Sequence, residues 1–186
     1  MRYNREMIIK AYEEKQRQKF IFFWGAEEKA QQITKACLSQ WYPCCFKAED
    51  QEYYTTEQYM MAQKALLFED KEMFRQIMKA EHPKQFKTLG RKIRGFQEEV
   101  WKEHRMDIVV AGNYAKFSQN PELKNFLLAS KERILVEASP YDKIWGIGMT
   151  GDSPNVENPL TWKGTNLLGF ALMEVRDILQ EEKGEI

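Results

Sequence analysis

Helix start signals recur along this chain, and they constrain its fold more strongly than any other feature of the sequence. Thr55 precedes Gln58 by three residues, which is the spacing of a capping box, and Asp70 is a second residue able to cap a helix. His82-Pro83 and Asn120-Pro121 each place a proline where a helix can begin. These signals predict a succession of helices through the middle of the chain.

Apolar residues at helical spacing extend this prediction in both directions. Residues 96–117 indicate a longer helix with Ala111 among its inward-facing residues, and residues 161–183 indicate an amphipathic closing helix. The charge-rich residues 1–19 predict a surface helix that leads into a domain at residues 20–183.

Strand signals are few and short. Residues 20–24 form an apolar run ended by Gly25, and residues 133–138 are rich in apolar and β-branched side chains. Residues 41–54 indicate two short strands joined by a polar turn at 48–51. The sequence therefore predicts a helix-rich α+β fold, a single domain with a few short strands.

The charge balance and hydropathy pattern exclude several classes of protein. Lysine plus arginine and aspartate plus glutamate number 28 each, so the formal net charge is +0. This balance argues against a protein that works mainly by coating nucleic acid or anionic lipid, because such binding needs excess positive charge. No apolar run approaches the ~18 residues of a membrane helix, and the N-terminus lacks the apolar segment of a secretory signal. We expect no membrane association.

The cysteines and histidines indicate a reducing compartment and chemistry without a metal. Cys37, Cys44 and Cys45 are odd in number and two are adjacent, which does not fit a disulfide framework, so we expect a cytoplasmic location. His82 and His104 are the only histidines, and no spacing typical of a metal site occurs. We expect no cofactor.

One predicted helix pairs an acid with a lysine. Glu57 and Lys64 lie seven residues apart, about two turns, so both face the same side of the helix that follows Thr55. Their charged heads lie either in water at the rim of an apolar stripe or in a pocket, where burial lowers the lysine pKa and raises the carboxyl pKa. In a pocket, a neutral lysine can attack an aldehyde-like carbon and a protonated carboxyl can assist a leaving nitrogen.

The loop at residues 139–148 is a second candidate for chemistry. It follows a predicted strand and carries Asp142, Trp145 and Gly146. Glycine lets the backbone come close to a ligand, and an indole offers a stacking plane for a flat heterocycle. A tight turn with a core tryptophan is the alternative. Separately, a basic run that includes Arg91 is either a solvated face or a phosphate contact.

Ordered blocks of residues between about residue 20 and residue 180 carry a family resemblance. They are 38–43, 54–65, Gly90-Arg91, Trp101 with Arg105, 116–120, 135–139, Asp142, 145–148, 162–164 and 166–169. In this order the set resembles the YbiA/NADAR family of N-glycosidases. One difference is Gln40-Trp41, which stands where the family usually has Asn-Phe.

The resemblance implies hydrolysis of an N-glycosidic bond between ribose and a nitrogenous group. Family activities include the breakdown of phosphoribosylamino-pyrimidine intermediates of riboflavin synthesis and the removal of ADP-ribose from modified guanine. The implied partner is therefore a ribosylated small molecule or an ADP-ribosylated nucleic acid.

The resemblance also implies roles for individual residues. The family's helix acid and helix lysine fall on Glu57 and Lys64, and its loop acid and tryptophan fall on Asp142 and Trp145. The other residues predicted to bind substrate are Trp24 and Trp101 by stacking, Arg91 and Arg105 by holding phosphate, and Gly146 and Asn166.

Two mechanisms and two non-catalytic functions remain open at this point. Glu57 or Asp142 protonates the departing group or the ring oxygen, and Lys64 then traps the anomeric carbon as a Schiff base that water releases. Alternatively, two carboxylates and water hydrolyse the bond without a covalent lysine. The non-catalytic alternatives are a nucleotide-binding module and a protein-interaction domain that docks through residues 3–12. Neither needs two acids and a lysine together, which favours an enzyme.

Overall fold

The computed structural model describes residues 2–27 and 32–184, and their secondary structure confirms the predicted helix-rich α+β class. None of the described helices has the length and apolar character needed to cross a membrane. The helices are α1 (Arg5–Glu13), α2 (Thr56–Leu67), α3 (Lys71–Lys79), α4 (Pro83–Gly90), α5 (Glu98–Gln119), α6 (Pro121–Ala129) and α7 (Leu167–Gly184). The strands are β1 (Phe20–Phe23), β2 (Phe46–Ala48), β3 (Gln51–Tyr53) and β4 (Ile134–Glu137).

The positions of the predicted helix starts are confirmed, although the Gln58 side chain accepts from the Tyr54 N–H at 2.9 Å. Helices α2, α3, α4 and α6 begin directly after Thr55, Asp70, His82 and Asn120. At Thr55, the side-chain oxygen accepts a hydrogen bond from the backbone N–H of Gln58 at 3.1 Å, which pairs one of the donors that a helix start leaves open.

Residue contacts divide the chain into two compact units. The first unit contains the described residues up to 39 and those from 121 onwards, and the second contains residues 40–120. The first unit is therefore assembled from two separate stretches of sequence, whereas the second is continuous. The domain boundary expected between residues 19 and 20 stays a prediction.

A parallel pair of strands, β1 and β4, lies in the core of the first unit. Phe20 is opposite Ile134 and Phe23 is opposite Glu137, and α7 packs against β4. Asn166, just before α7, joins this helix to the strand: its side-chain nitrogen donates to the Leu135 carbonyl at 2.9 Å, and its side-chain oxygen accepts from the Glu137 amide at 3.0 Å.

Polar contacts attach helix α1 to the first unit. The Arg5 guanidinium donates to the carbonyls of Pro159 at 3.0 Å and Trp162 at 2.7 Å. The helix occupies Arg5–Glu13 within the segment 1–19, because Lys15 has a positive φ of 56° and directs the chain out of the helix.

The second unit begins with the predicted hairpin, which is confirmed. Strands β2 and β3 are antiparallel, and the turn residues Glu49 and Asp50 have φ angles of 51° and 61°. Two consecutive left-handed residues produce the twist that a two-residue hairpin requires. The Tyr53 ring lies 5.0 Å from the Tyr59 ring, centroid to centroid, so the hairpin packs on α2.

Helix α2 is the central element of the second unit. It packs against α3, α4 and α5, and all of its residues from Thr56 to Ala62 are buried. The start of α3 is fixed by Asp70, whose side-chain carboxylate accepts from the backbone N–H of Met73 at 3.2 Å and pairs with the Arg94 guanidinium at 2.7 Å. These bonds from Arg94 hold the pKa of the Asp70 carboxyl well below its usual range.

The inward face of α5 differs from the prediction at Ala111, which is exposed. The buried residues around it are Val109, Gly112, Asn113, Ala115, Lys116 and Phe117. This face packs against α2 and β2. Two buried residues of this face, Asn113 and Lys116, are polar. The spacing of apolar residues therefore could not place them on the inward face.

The packing of α7 on β4 predicts an unusual effect of alanine at Gly169. A Cβ there would overlap the Leu135 carbonyl oxygen and crowd the Asn166 side chain. We expect Gly169→Ala to lower the free energy of unfolding by about 1–3 kcal/mol, as overpacking does, although alanine normally favours a helix over glycine. Urea denaturation measures the change.

Gly184→Ala in the same helix is the matched control, because nothing lies within 4 Å of a Cβ at that position. Its free energy of unfolding should stay within about 0.5 kcal/mol of the parent protein. If the urea midpoint of Gly169→Ala equals or exceeds that of the parent protein, β4 and α7 can move apart to accommodate the Cβ without loss of stability.

Candidate active site

The first turn of α2 places an acid in a buried position. Glu57 is the second residue of the helix and is only 5% exposed, and its backbone N–H donates to the Gln40 carbonyl at 3.0 Å. The positive end of the helix dipole favours a negative charge there. The alternative in which this carboxyl lies in water at a rim is therefore wrong.

Lys64 lies two turns further along the same helix, half-buried among aromatic rings. Its Nζ donates to the Gly90 carbonyl at 3.1 Å and lies 4.1 Å from the centroid of the Phe96 ring and 5.4 Å from that of the Trp101 ring. Carbonyl and ring faces favour the ammonium form. Burial opposes this and lowers the pKa of Lys64 below its ordinary value.

Two acids moderate this effect. The negative charges of Glu98 and Glu57 raise the pKa of Lys64, and they offset part of the lowering caused by burial. Glu57 and Lys64 are thus coupled electrostatically within one helix, as their spacing predicted. The Lys64 amine is therefore easier to deprotonate than the amine of an ordinary lysine. Glu57, an acid of the same helix, is buried.

Trp101 is buried next to Lys64, whereas the two arginines predicted to bind phosphate lie nearer to solvent. Arg91 directly follows Gly90, the residue whose carbonyl accepts from Lys64, and is exposed. Arg105 is half-buried on α5, one helical turn beyond Trp101.

Lys116 is a candidate functional residue that the prediction from sequence did not include among the site residues. It is 0% exposed, which is rare for a lysine, and its Nζ lies 5.3 Å from the Tyr42 ring centroid. Its charge lowers the pKa of the Cys44 thiol, although burial raises that pKa more strongly. Lys116 stands inside one of the family-like blocks, and this was the signal that could have singled it out.

The loop that follows β4 is held by Asp142. Its Oδ1 accepts from the backbone N–H groups of Ile144 at 2.9 Å and Trp145 at 2.8 Å, and its own N–H donates to Ser139 Oγ at 3.2 Å. The carboxylate therefore fixes the loop that carries Trp145, a half-buried residue. Asp142 Oδ2 accepts no hydrogen bond from residues 2–27 or 32–184.

Gly146 and Asn166 are both buried inside the first unit. A Cβ at Gly146 would lie 2.8 Å from the Glu137 carbonyl, so backbone packing alone requires glycine there. The Asn166 side chain is bonded through both its nitrogen and its oxygen to β4. The Asn166 N–H also donates to the Gly146 carbonyl at 3.2 Å, which connects the two residues.

Trp24 is 55% exposed and follows β1 directly. Its ring lies 6.0 Å from the ring of Tyr141, which is 85% exposed, so two aromatic side chains contact each other at the surface of the first unit.

The predicted site residues thus form two groups, one in each unit. Glu57, Lys64, Arg91, Trp101 and Arg105 belong to the second unit, and the other five belong to the first. Two surface cavities of about 430 and 410 Å³ include none of them. In the part of the chain that the structure describes, no three His, Cys, Asp or Glu side chains form a group that could hold a metal ion.

Comparison with known proteins decides the family. The NADAR domain family matches residues 22–180 of this chain. The chain belongs to the NADAR family. This confirms the resemblance seen in the sequence, and all ten predicted site residues fall within the NADAR match.

Individual relatives agree with the NADAR assignment. An N-glycosidase of Acanthamoeba polyphaga mimivirus is 45% identical over 168 residues, which are 88% of this chain and 98% of that protein. A riboflavin biosynthesis protein of Vibrio vulnificus is 32% identical over 161 residues, 87% of this chain but 39% of that protein. The NMR structure of the Escherichia coli protein YbiA has a TM-score of 0.74 and 27% identity, covering 91% of this chain and 89% of that one.

The environment of Lys64 predicts how this residue titrates. We expect Lys64 to deprotonate at a lower pH than lysine ordinarily does, because burial lowers its pKa. We expect Glu98→Gln to lower the pKa of Lys64 further, because the Glu98 charge raises it. Competitive acetylation across a pH series, read by peptide mass spectrometry, gives the pKa of each lysine.

Glu99→Gln is the control, since Glu99 is the next residue and its carboxylate pairs with Lys102 at 2.9 Å. It should leave the pKa of Lys64 where it is. Titration of Lys64 at the ordinary pKa of a lysine would contradict the assignment of a perturbed amine.

Proposed function

We propose that this chain is an N-glycosidase that hydrolyses the bond between C1 of a ribose and a nitrogenous group. The observation that carries the proposal is the environment of Lys64, an amine of lowered pKa against two aromatic rings on the same helix as a buried acid. Perturbed titratable groups of this kind cluster at catalytic sites. The mimivirus relative is named an N-glycosidase, which supports the same class of bond.

Within this class, we propose phosphoribosylamino-pyrimidine intermediates of riboflavin synthesis as the substrate. The name of the Vibrio vulnificus relative supports this choice. Arg91 and Arg105 are proposed to bind the phosphate, because guanidinium groups pair with phosphate oxygens through charge-assisted hydrogen bonds. Trp101 and Trp145 are proposed to stack on the pyrimidine. The three free cysteines support a cytoplasmic location for this chemistry.

Lys64 is the proposed nucleophile. The lone pair of the glycosidic nitrogen first expels the ring oxygen, which takes a proton from Asp142, so C1 becomes an open-chain iminium. The neutral Lys64 amine then adds to C1 and loses one proton to water. The nitrogenous group leaves with the electron pair of the C1–N bond and a proton from Glu57, which the hydrolysing water later returns. The resulting Schiff base between Lys64 and C1 is hydrolysed by one water molecule, which releases the free sugar and restores the amine.

Asp142 is the proposed second acid. Its Oδ1 is engaged by two backbone N–H groups, so proton transfer is assigned to Oδ2. Gly146 and Asn166 are proposed to keep the Asp142 loop in place, and Trp24 is proposed to extend the aromatic surface that meets the substrate.

The function is tested by incubating the protein with ribosylated amines and identifying the released base by mass spectrometry. We expect Glu57→Gln to reduce kcat by about 10²–10⁴, because the amide keeps the size of the side chain but cannot transfer a proton. Glu72→Gln is the matched control: Glu72 is also the second residue of a helix, but it is exposed. Unchanged turnover by Glu57→Gln would remove this acid from the mechanism.

The role of Lys64 has a covalent test. Borohydride added during turnover should reduce the Schiff base and leave a sugar-sized adduct on the peptide that contains Lys64. Lys64→Arg should lose almost all activity and the adduct, because arginine stays protonated and cannot condense. Lys79→Arg, at an exposed site on α3, should keep both.

An active Lys64→Arg enzyme without an adduct would exclude the covalent route. The reaction would then have to proceed by the two-carboxylate route, with Glu57 and Asp142 as acid and base.

A further inference from the structure

We propose that Gln40 is a positioning residue for Glu57, and that a hydrogen bond from Asn113 holds Gln40 in this role. The inference rests on the proposed function, in which Glu57 supplies a proton. Gln40 belongs to the Gln40-Trp41 pair, at which this chain differs from the usual pattern of the resembled family.

The backbone of Gln40 holds the start of α2. Its carbonyl accepts from the Glu57 N–H at 3.0 Å and from the Thr56 hydroxyl at 3.3 Å. The carbonyl therefore pairs a donor that the helix start leaves open, directly at the residue that carries the acid. Any displacement of Gln40 moves the anchor of the Glu57 backbone.

The side chain of Gln40 ties this anchor to α5. Its Oε1 accepts from Asn113 Nδ2 at 3.0 Å, and the same nitrogen donates to the Val109 carbonyl at 2.9 Å within α5. Gln40 is 6% exposed and Asn113 is 0% exposed, so water cannot replace this bond. The buried amide pair thus connects α5 to the first turn of α2.

The length of the Gln40 side chain matters for this connection. Asparagine at position 40 would end about 1.5 Å earlier, the length of one carbon–carbon bond, and would leave Asn113 without this acceptor. The other polar atoms offer little compensation: Gln40 Nε2 contacts the Met60 sulfur at 3.9 Å, and Asn113 Oδ1 has no partner among the described residues.

A reciprocal exchange of side chains tests the proposal. Gln40→Asn should lower kcat about tenfold or more with little change in KM, because the acid is misplaced while substrate contacts persist. The double variant Gln40→Asn with Asn113→Gln restores the combined length of the two amides, and it should recover at least half of the loss in log kcat.

Gln63→Asn is the matched control. It makes the same substitution in α2, where the Gln63 side chain donates to Glu49 at 2.9 Å on the surface, and kcat should not change. Gln40→Met, which keeps the shape without the acceptor, replaces Gln40→Asn if that variant fails to fold. Its kcat should fall as well.

A second readout does not depend on catalysis. The Glu57 amide donates to the Gln40 carbonyl, so its hydrogen exchange, measured by NMR, should accelerate in Gln40→Asn and slow again in the double variant. Unchanged exchange and unchanged kcat in Gln40→Asn would overturn the proposal. The proposal would also be overturned if Gln40→Asn changed kcat and KM equally and the double variant recovered no activity. If the parent protein hydrolyses no ribosylated amine, the proposed function fails, while exchange at Glu57 still tests the contact.

Discussion

Pairing of the backbone donors at the start of α2 is the constraint on which the second unit depends. A helix end can be buried only if its first N–H groups find acceptors, since each orphaned donor costs free energy comparable to a lost hydrogen bond. Here the Thr55 hydroxyl and the Gln40 carbonyl supply two of those acceptors. The helix can then be covered by α3, α4 and α5, and Glu57 becomes buried as a consequence of that packing.

Opposing interactions act on the amine of Lys64, the nucleophile of the proposed mechanism. The Phe96 and Trp101 rings and the Gly90 carbonyl stabilise the charged form, while burial favours the neutral one. A lysine that forms a Schiff base must be neutral when it attacks and positively charged as an iminium when water adds. Burial outweighs the opposing influences and holds the pKa of Lys64 below its ordinary value, which favours the neutral form that attack requires.

Features that depend on contacts between residues close in sequence, such as helix starts, were predictable from the sequence. Caps such as Thr55 and Asp70 fixed helix starts, because their side chains bond the backbone a few residues away. Long-range contacts were not predictable: nothing near Asn166 indicates that its side chain binds β4, and nothing near Lys116 indicates full burial. The acid–lysine pair of α2 was predictable because both residues lie on one helix. The acceptor for the lysine was not, because Gly90 comes from α4.

The parallel pairing of β1 with β4 has a consequence for biosynthesis. Phe20 pairs with Ile134, so more than a hundred residues must leave the ribosome before β1 meets its partner strand. During this interval the aromatic edge of Phe20–Phe23 has unpaired backbone groups, the condition that promotes aggregation of nascent chains. The continuous segment 40–120 is synthesised in the meantime, and its contacts are all closer in sequence. Strand β1 is therefore synthesised early and stays prone to aggregation until β4 is available to pair with it.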